Sequence, residues 1–219
     1  MYIIGLIDDE ESQLSKIRRT IKTNAKKEEQ YDFKSYLISD KASDVVSDVF
    51  EEVIDDIKNM KLSSLIVDYK IIVKTYKIKG TEIFKKIKEE VPKFPVIILT
   101  EVVEESTEPD FVDADKVYKK KDFYKIEGEY SKEKVFNIFD SMRKYVGQRD
   151  KLQLTIDDLK QQLAKGSLTH EEVVGNILAL ESQLDDFVPT EQSQIDKVFD
   201  EQKAKEIVAL IEKANALIE

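Results

Sequence analysis

The chain of 219 residues carries a formal net charge of −10 at pH 7, so a basic face for binding nucleic acid is not expected. It contains no cysteine, which excludes disulfides and thiolate metal sites. No apolar run approaches the length of about 18 residues that a membrane span needs, and the N-terminus lacks the basic flank of a signal peptide. We therefore expect a cytoplasmic protein with no membrane segment.

Strand-like and helix-like patterns alternate through residues 1–145. Short runs rich in β-branched residues are followed by segments whose apolar residues recur every three or four positions, as on one face of a helix. This alternation predicts βαβ units around a parallel sheet, and hence the α/β fold class. The strands are predicted at 2–8, 32–38, 63–68, 95–100 and 115–122. Helices are predicted between them, and the segment 101–113, interrupted by Pro109, is the weakest of these.

The C-terminal third has the pattern of a helical region. From Val135 to Leu163 the apolar residues are spaced alternately three and four apart, and only Arg149 interrupts this heptad seam. The seam predicts one long helix over 131–164. Two further helices are predicted, the first after a capping box at 169–172 and the second over 191–218. We therefore divide the chain into an α/β domain, 1–145, and a helical region, 146–219. The seam is equally consistent with a helical hairpin within one chain and with a coiled-coil homodimer.

Polar side chains follow several of the predicted strands. Asp8 and Asp9 end the first strand, Asp68 ends the third and Thr100 ends the fourth, while Lys120 lies on the fifth. Ligands of open parallel sheets bind beyond the carboxyl ends of the strands, so these side chains are expected to converge. Three aspartates form an oxygen site that suits Mg²⁺. An aspartate can also be a nucleophile that forms an aspartyl phosphate, with the lysine and the threonine stabilising the transferred group.

The motifs "LIDDEES", "LIVD", "VIILT" and "ADKVYKKKDF", in this order, resemble the receiver domain of bacterial response regulators, of the chemotaxis-regulator type. The resemblance covers residues 1–145. It implies a flavodoxin-like, doubly wound fold with a five-stranded parallel sheet in the order 2-1-3-4-5.

The resemblance also implies roles for individual residues. Asp68 would be the phosphoacceptor, and Mg²⁺ would be bound by Asp8, Asp9, Asp68 and the backbone carbonyl of Lys70. Lys120 would pair with the phosphoryl group.

Two switch residues are implied as well. Thr100 would move toward the phosphoryl group after modification. The switch aromatic of the family would fall on Val117, with Tyr118 next to it. If the match to the family is shifted by one residue, the switch aromatic is Tyr118 and the lysine that pairs with the phosphoryl group is Lys121. Both registers stay open.

The chain departs from the receiver pattern beside the site. Asp68 and Gly80 lie twelve residues apart, which leaves an apolar and basic insert at 69–79. We expect this insert to overhang the site and either to gate it or to bind a partner. Glu101 follows Thr100, where a carboxylate could hinder a phosphoryl group.

The resemblance implies a two-component response regulator. A histidine kinase or phosphotransfer protein would phosphorylate Asp68, and the C-terminal helices would provide the output by dimerisation or by protein contact. The chain would then be a phosphoacceptor and not an enzyme that turns over a substrate. An alternative is a receiver-like adaptor that is not phosphorylated. A third possibility, a Mg²⁺-dependent phosphohydrolase, is disfavoured because Lys70 occupies the position of the second acid that such enzymes use.

His170 is the single histidine of the chain. The sequence "THEEVVGN" around it is faintly similar to the phosphorylated-histidine box of sensor kinases. Because no kinase domain follows and His170 lies in the first turn of a predicted helix, a surface residue near the helix start is the preferred interpretation.

Overall fold

The computed structural model describes residues 1–38, 45–73, 76–101, 116–165 and 170–189. The predicted weak helix at 101–113, apart from Glu101, and the predicted helix at 191–218 lie outside the described residues. The predicted capping box begins at Thr169, which is also outside them.

Five parallel strands form the central sheet. They are β1 (Tyr2–Asp8), β2 (Tyr31–Leu37), β3 (Ser64–Asp68), β6 (Val96–Thr100) and β7 (Val117–Lys119). Their order is β2-β1-β3-β6-β7 and every neighbouring pair is parallel. All residues of β3 and β6 are buried, which explains their continuous apolar sequences, because both faces of these strands are covered by helices. The predicted order 2-1-3-4-5 and the predicted fold class are confirmed, since the two remaining strands, β4 (Lys70–Val73) and β5 (Tyr76–Lys79), belong to a separate hairpin.

Helices cover both faces of the sheet. They are α1 (Glu11–Asn24), α2 (Val45–Lys58), α3 (Gly80–Glu90), α4 (Lys120–Phe123), α5 (Glu129–Ala164) and α6 (His170–Asp185). Apolar residues of α1 and of the first half of α5 share one core cluster, and those of α2 and α3 belong to another. The strand predicted at 115–122 was too long, because Lys120 begins the short helix α4.

The insert at 69–79 is a β-hairpin. Its strands β4 (Lys70–Val73) and β5 (Tyr76–Lys79) pair antiparallel and are not part of the central sheet. The hairpin begins directly after β3 and ends where α3 begins. At its base the Gly80 N–H donates a hydrogen bond to the Tyr69 carbonyl at 2.7 Å. The unusual separation of Asp68 from Gly80 is therefore a short excursion of the chain that leaves the βαβ unit intact.

The predicted long helix is confirmed by α5, which continues well beyond the α/β domain. α6 packs against α5, and the second half of the seam shares a core cluster with apolar residues of α6. Ile156, Leu159 and Leu163 of α5 are in this cluster with Val173 and Ile177 of α6. In the described residues, the second half of the seam therefore packs against α6 of the same chain. None of the helices in the described part of the chain is long and apolar enough to cross a membrane.

The chain segment after α6 is attached beside the N-terminal end of β6. The Tyr145 hydroxyl of α5 donates to the Phe187 carbonyl at 2.7 Å, and the ring of Tyr145 lies edge-on to Phe94, with 5.3 Å between the ring centroids. The Lys93 N–H donates to the Asp186 carbonyl at 2.9 Å. By these contacts α5 and α6 belong to one compact unit, Met1–Val188. The division of the chain at residue 145 stays a prediction.

Arg149 interrupts the seam and is buried. Its guanidinium lies 5.7 Å from the ring centroid of Tyr145 and 2.7 Å from a carboxylate oxygen of Asp150. An aromatic face and a carboxylate together stabilise the buried cation, so the interruption does not end the helix.

Candidate functional site at the carboxyl edge of the sheet

The polar residues singled out in the sequence meet at one edge of the sheet. β1 ends at Asp8, β3 at Asp68 and β6 at Thr100, and Lys120 directly follows β7. Because these strands are parallel neighbours, their carboxyl ends lie together. The side chains of these four residues are almost fully buried, with residue exposures of 1% for Asp8, 6% for Asp68, 2% for Thr100 and 6% for Lys120. Asp9 is half-buried beside them.

Lys120 is the cation of this cluster. Its Nζ lies 2.8 Å from Asp68 Oδ1 and 3.9 Å from Asp8 Oδ2. Lys121 is exposed, so the structure places Lys120 and not its neighbour beside the acids. Lys120 therefore supplies one positive charge to a group of three carboxylates.

Burial and mutual repulsion raise the pKa values of the two innermost acids. Burial, with a contribution from the charges of Asp68 and Asp9, raises the pKa of Asp8 to about 7, although the Glu10 N–H and Lys120 oppose this shift. Burial also raises the pKa of Asp68 above its ordinary value, although Lys120 and the Lys70 N–H act in the opposite direction. The cluster therefore has more negative charge than its surroundings compensate.

The donor set fits a small divalent cation. Asp8, Asp9 and Asp68 each offer one carboxylate oxygen, and these oxygens lie within 4.8 Å of one another. Asp8 Oδ2 is buried and has no hydrogen-bond partner in the described part of the chain, which is costly unless another group binds it. Carboxylate oxygens are the ligands that Mg²⁺ prefers. These three residues would hold the ion, and the carbonyl of Lys70 stays a predicted fourth ligand.

A cavity of about 330 Å³ gives access to these residues. Its lining includes Gln13, Glu101 and Ile72 of the hairpin, in addition to the acids, Thr100 and Lys120. The Ile72 N–H donates a hydrogen bond to Asp9 Oδ2 at 3.2 Å. The insert thus forms one wall of the site, as expected from its position after Asp68. The backbone contact itself was missed, because it joins residues far apart in the sequence and involves no side chain of Ile72.

Tyr118, considered as the switch aromatic, does not line this cavity. It lies on β7 with 3% of its surface exposed, and its ring centroid is 6.3 Å from that of Phe123. Lys134 Nζ lies 5.3 Å from the Tyr118 ring centroid. Val117, the other candidate, is buried as well. A switching role for either residue stays a prediction.

Comparisons with known proteins return response regulators at low similarity. The isolated REC domain of RcsB from Salmonella enterica serovar Typhimurium, in the presence of the phosphomimetic BeF3−, is 19% identical with a TM-score of 0.33. The match covers 46% of this chain and 62% of that chain. Two structures of the Salmonella typhimurium RcsB response regulator are 13% and 14% identical, with TM-scores of 0.38 and 0.39. Each of these matches covers 90% of this chain, together with 98% and 99% of the regulator.

No protein-family model matches the chain, and no curated protein matches it. At these identities and TM-scores the likeness to RcsB says nothing about the activity of this chain.

Proposed function

We propose that the chain is a two-component phosphoacceptor in which Asp68 receives a phosphoryl group from the phosphohistidine of a kinase or phosphotransfer protein. The observation that supports this most directly is the contact of 2.8 Å between Asp68 and Lys120, beside the carboxylates of Asp8 and Asp9. Such an arrangement combines a nucleophile, a cation for the phosphoryl oxygens and ligands for a metal ion.

In the proposed reaction an oxygen of the Asp68 carboxylate attacks phosphorus. A P–O bond forms while the P–N bond to the donor imidazole breaks, and the imidazole leaves with the bonding electron pair and takes up a proton. Lys120 stabilises the negative charge on the phosphoryl oxygens, and Thr100, at the end of β6, lines the same cavity. A Mg²⁺ ion held by the three carboxylates would add positive charge at the phosphoryl oxygens.

Intact-mass measurement after incubation with acetyl phosphate and Mg²⁺ tests the proposal. The wild-type chain should gain the mass of one phosphoryl group, and Asp68→Ala should gain none. An adduct that persists in Asp68→Ala would show that another residue is modified. No adduct on the wild type, from acetyl phosphate or from a phosphohistidine donor, would overturn the proposal.

A non-phosphorylated adaptor is the second candidate. The hairpin wall beside Asp9 and the exposed residue Glu101, which lines the cavity, support it, since a wall and a negative charge there disfavour the approach of an anionic donor. An adaptor should neither form the adduct nor bind Mg²⁺, so titration with Mg²⁺ separates the two candidates.

The C-terminal helices are the proposed output, through a homodimer or through contact with another protein. Because α6 covers the second half of the α5 seam, a dimer would use residues that stay exposed in one chain. Leu154 of α5 and Val174 and Leu178 of α6 are apolar and have exposures of 69%, 41% and 52%. Size-exclusion chromatography with light scattering should show a dimer that Leu154→Glu or Leu178→Glu dissociates. A strict monomer at all concentrations would leave protein contact as the output.

A further inference from the structure

Backbone N–H groups on the outer edge of the hairpin strand β4 face the acidic cluster. In an antiparallel pair the N–H groups of alternate residues point away from the partner strand. Lys70 and Ile72 are two residues apart, so both N–H groups point to the same side. The Lys70 N–H contributes a hydrogen bond to Asp68, and the Ile72 N–H donates to Asp9. Two carboxylates of the candidate cation site are thus bound by one strand edge.

The hairpin strand is fixed firmly enough to position these donors. Ile71 is fully buried in the same core cluster as Val67 of β3, whereas the next residue, Ile72, is about half exposed. At the base, the hydrogen bond from the Gly80 N–H to the Tyr69 carbonyl closes the hairpin beside Asp68. The amide of Ile72 is therefore held by core packing on one side and by the hairpin base on the other.

The position of Asp9 is fixed less directly by the sheet than the positions of Asp8 and Asp68. Asp8 and Asp68 are the last residues of sheet strands, whereas Asp9 follows β1 in the connection to α1 and is half-buried. Its Oδ2 accepts the Ile72 N–H, so Oδ1 remains for a cation. Carboxylates that bind metals are commonly oriented by hydrogen bonds to their second oxygen, and loss of these bonds weakens metal binding by roughly 10- to 100-fold.

We infer that strand β4 is a component of the cation site, in which the backbone amide of Ile72 is a positioning group that orients the Asp9 carboxylate toward Asp8 and Asp68. This inference rests on the cation binding contained in the proposed function. A hairpin that merely covered the site would have the opposite effect, since disturbing it would leave the affinity unchanged or increase it.

Two substitutions at Ile72 distinguish the contribution of its backbone amide to Mg²⁺ binding from that of its side chain. Ile72→Pro removes the N–H at a strand edge, where proline is tolerated, whereas Ile72→Ala keeps the N–H and removes most of the side chain. Calorimetric titration with Mg²⁺ should give an affinity for Ile72→Pro that is about tenfold lower than that of Ile72→Ala. In an Asp9→Ala background, Ile72→Pro should cause no further loss.

Hydrogen exchange of the wild-type chain provides a test that needs no variant. If the Ile72 amide favours cation binding through Asp9, then saturating Mg²⁺ must favour the hydrogen bond by the same factor. Exchange of the Ile72 amide should therefore slow by about tenfold. Unchanged exchange would overturn the inference, and so would equal Mg²⁺ affinities of the proline and alanine variants.

The same measurements distinguish a failure of the proposed function from a failure of the inference about Ile72. A wild-type chain that binds no divalent cation would overturn both the metal part of the proposed function and the inference. A wild-type chain that binds Mg²⁺ but accepts no phosphoryl group would overturn phosphorylation alone, and the comparison of Ile72→Pro with Ile72→Ala would still decide the role of the hairpin.

Discussion

Lys120 Nζ lies 2.8 Å from Asp68 Oδ1, and both side chains are buried at the carboxyl edge of the sheet. The same ammonium is 3.9 Å from Asp8 Oδ2. Removal of one partner of a buried ion pair leaves a charge without compensation, which typically costs about 3–5 kcal/mol. Here the Lys120 ammonium faces more than one carboxylate, so the structure should depend strongly on it when no metal ion is bound.

We predict that Lys120→Met lowers the free energy of unfolding by about 3 kcal/mol in metal-free buffer near pH 8. Lys121→Met, at the exposed neighbouring lysine, should change it by less than about 0.5 kcal/mol. Chemical denaturation of the two variants measures the difference. Equal effects of the two substitutions would contradict the assignment of Lys120 to the site and reopen the register shifted by one residue.

The raised pKa of Asp8 predicts a pH-dependent stability. Burial raises this pKa from 3.8 to about 7. Between these values the folded chain binds more protons than the unfolded chain, so the free energy of unfolding falls as the pH rises through this window. Asp8→Asn removes the titration and keeps the shape of the side chain. In metal-free buffer the stability of Asp8→Asn relative to wild type should therefore increase by about 2 kcal/mol between about pH 5 and pH 8.

Denaturation curves at both pH values, with a chelator present, measure this effect. Asp32→Asn, at an exposed aspartate of β2, provides the matched control for the loss of a surface carboxylate. A stability difference between Asp8→Asn and wild type that does not vary with pH would contradict the raised pKa.

The sheet and the acids of the site could be predicted because their signals are local. Strands buried on both faces must be continuously apolar, as in "SLIVD" and "VIILT", and each of these runs ends on a polar residue that marks the carboxyl edge. The hairpin had a weaker signal. The stretch "YKIIVKTYKIK" contains two short runs of strand-forming residues, but it lacks an Asn-Gly or Asp-Gly turn that would indicate a hairpin.

Two contacts were beyond sequence reasoning for a physical reason. The hydrogen bond from Ile72 to Asp9 and that from Tyr145 to Phe187 use backbone atoms and join residues far apart in the chain. A backbone N–H or carbonyl is present at nearly every position, so residue types do not mark it. The use of the seam within one chain was one of two possibilities, because the same spacing of apolar residues serves a hairpin or a dimer.

Gly80 should tolerate no side chain, because the hairpin closes against Asp68 there. A Cβ at Gly80 would lie far inside van der Waals contact of the Asp68 carbonyl oxygen, whereas a Cβ at Gly147 would meet nothing within 4 Å. We expect Gly80→Ala to destabilise the chain by more than about 1 kcal/mol, since backbone atoms must move. The matched variant Gly147→Ala, inside α5, should stabilise it by about 0.5–1 kcal/mol through its higher helix propensity.

Thermal unfolding of the two glycine variants checks this prediction, because the unfolding midpoint should fall for Gly80→Ala and rise for Gly147→Ala. Gly80→Ala should also weaken binding of Mg²⁺, because the displaced backbone carries Asp68. Wild-type stability and Mg²⁺ affinity of Gly80→Ala would contradict the tight closure of the hairpin base.

Removal of the hydroxyl should affect the free energy of unfolding differently at two tyrosines. The Tyr145 hydroxyl donates to the Phe187 carbonyl at 2.7 Å, and burial raises its pKa to about 12, so it remains a donor at all physiological pH values. The Tyr124 hydroxyl is buried and has no hydrogen-bond partner in the part of the chain that the structure describes. Tyr145→Phe removes a satisfied bond and leaves the carbonyl unpaired, whereas Tyr124→Phe removes an unsatisfied polar group.

We therefore predict that Tyr145→Phe lowers the free energy of unfolding by about 1 kcal/mol and that Tyr124→Phe leaves it unchanged or raises it by up to about 1 kcal/mol. Hydrogen exchange should locate the loss in Tyr145→Phe at the end of α6, because the bond attaches the segment around Phe187 to α5. Faster exchange confined to the sheet, or destabilisation of equal size in both variants, would contradict this attachment. If the attachment holds, the α5–α6 hairpin belongs to the same compact unit as the acidic site.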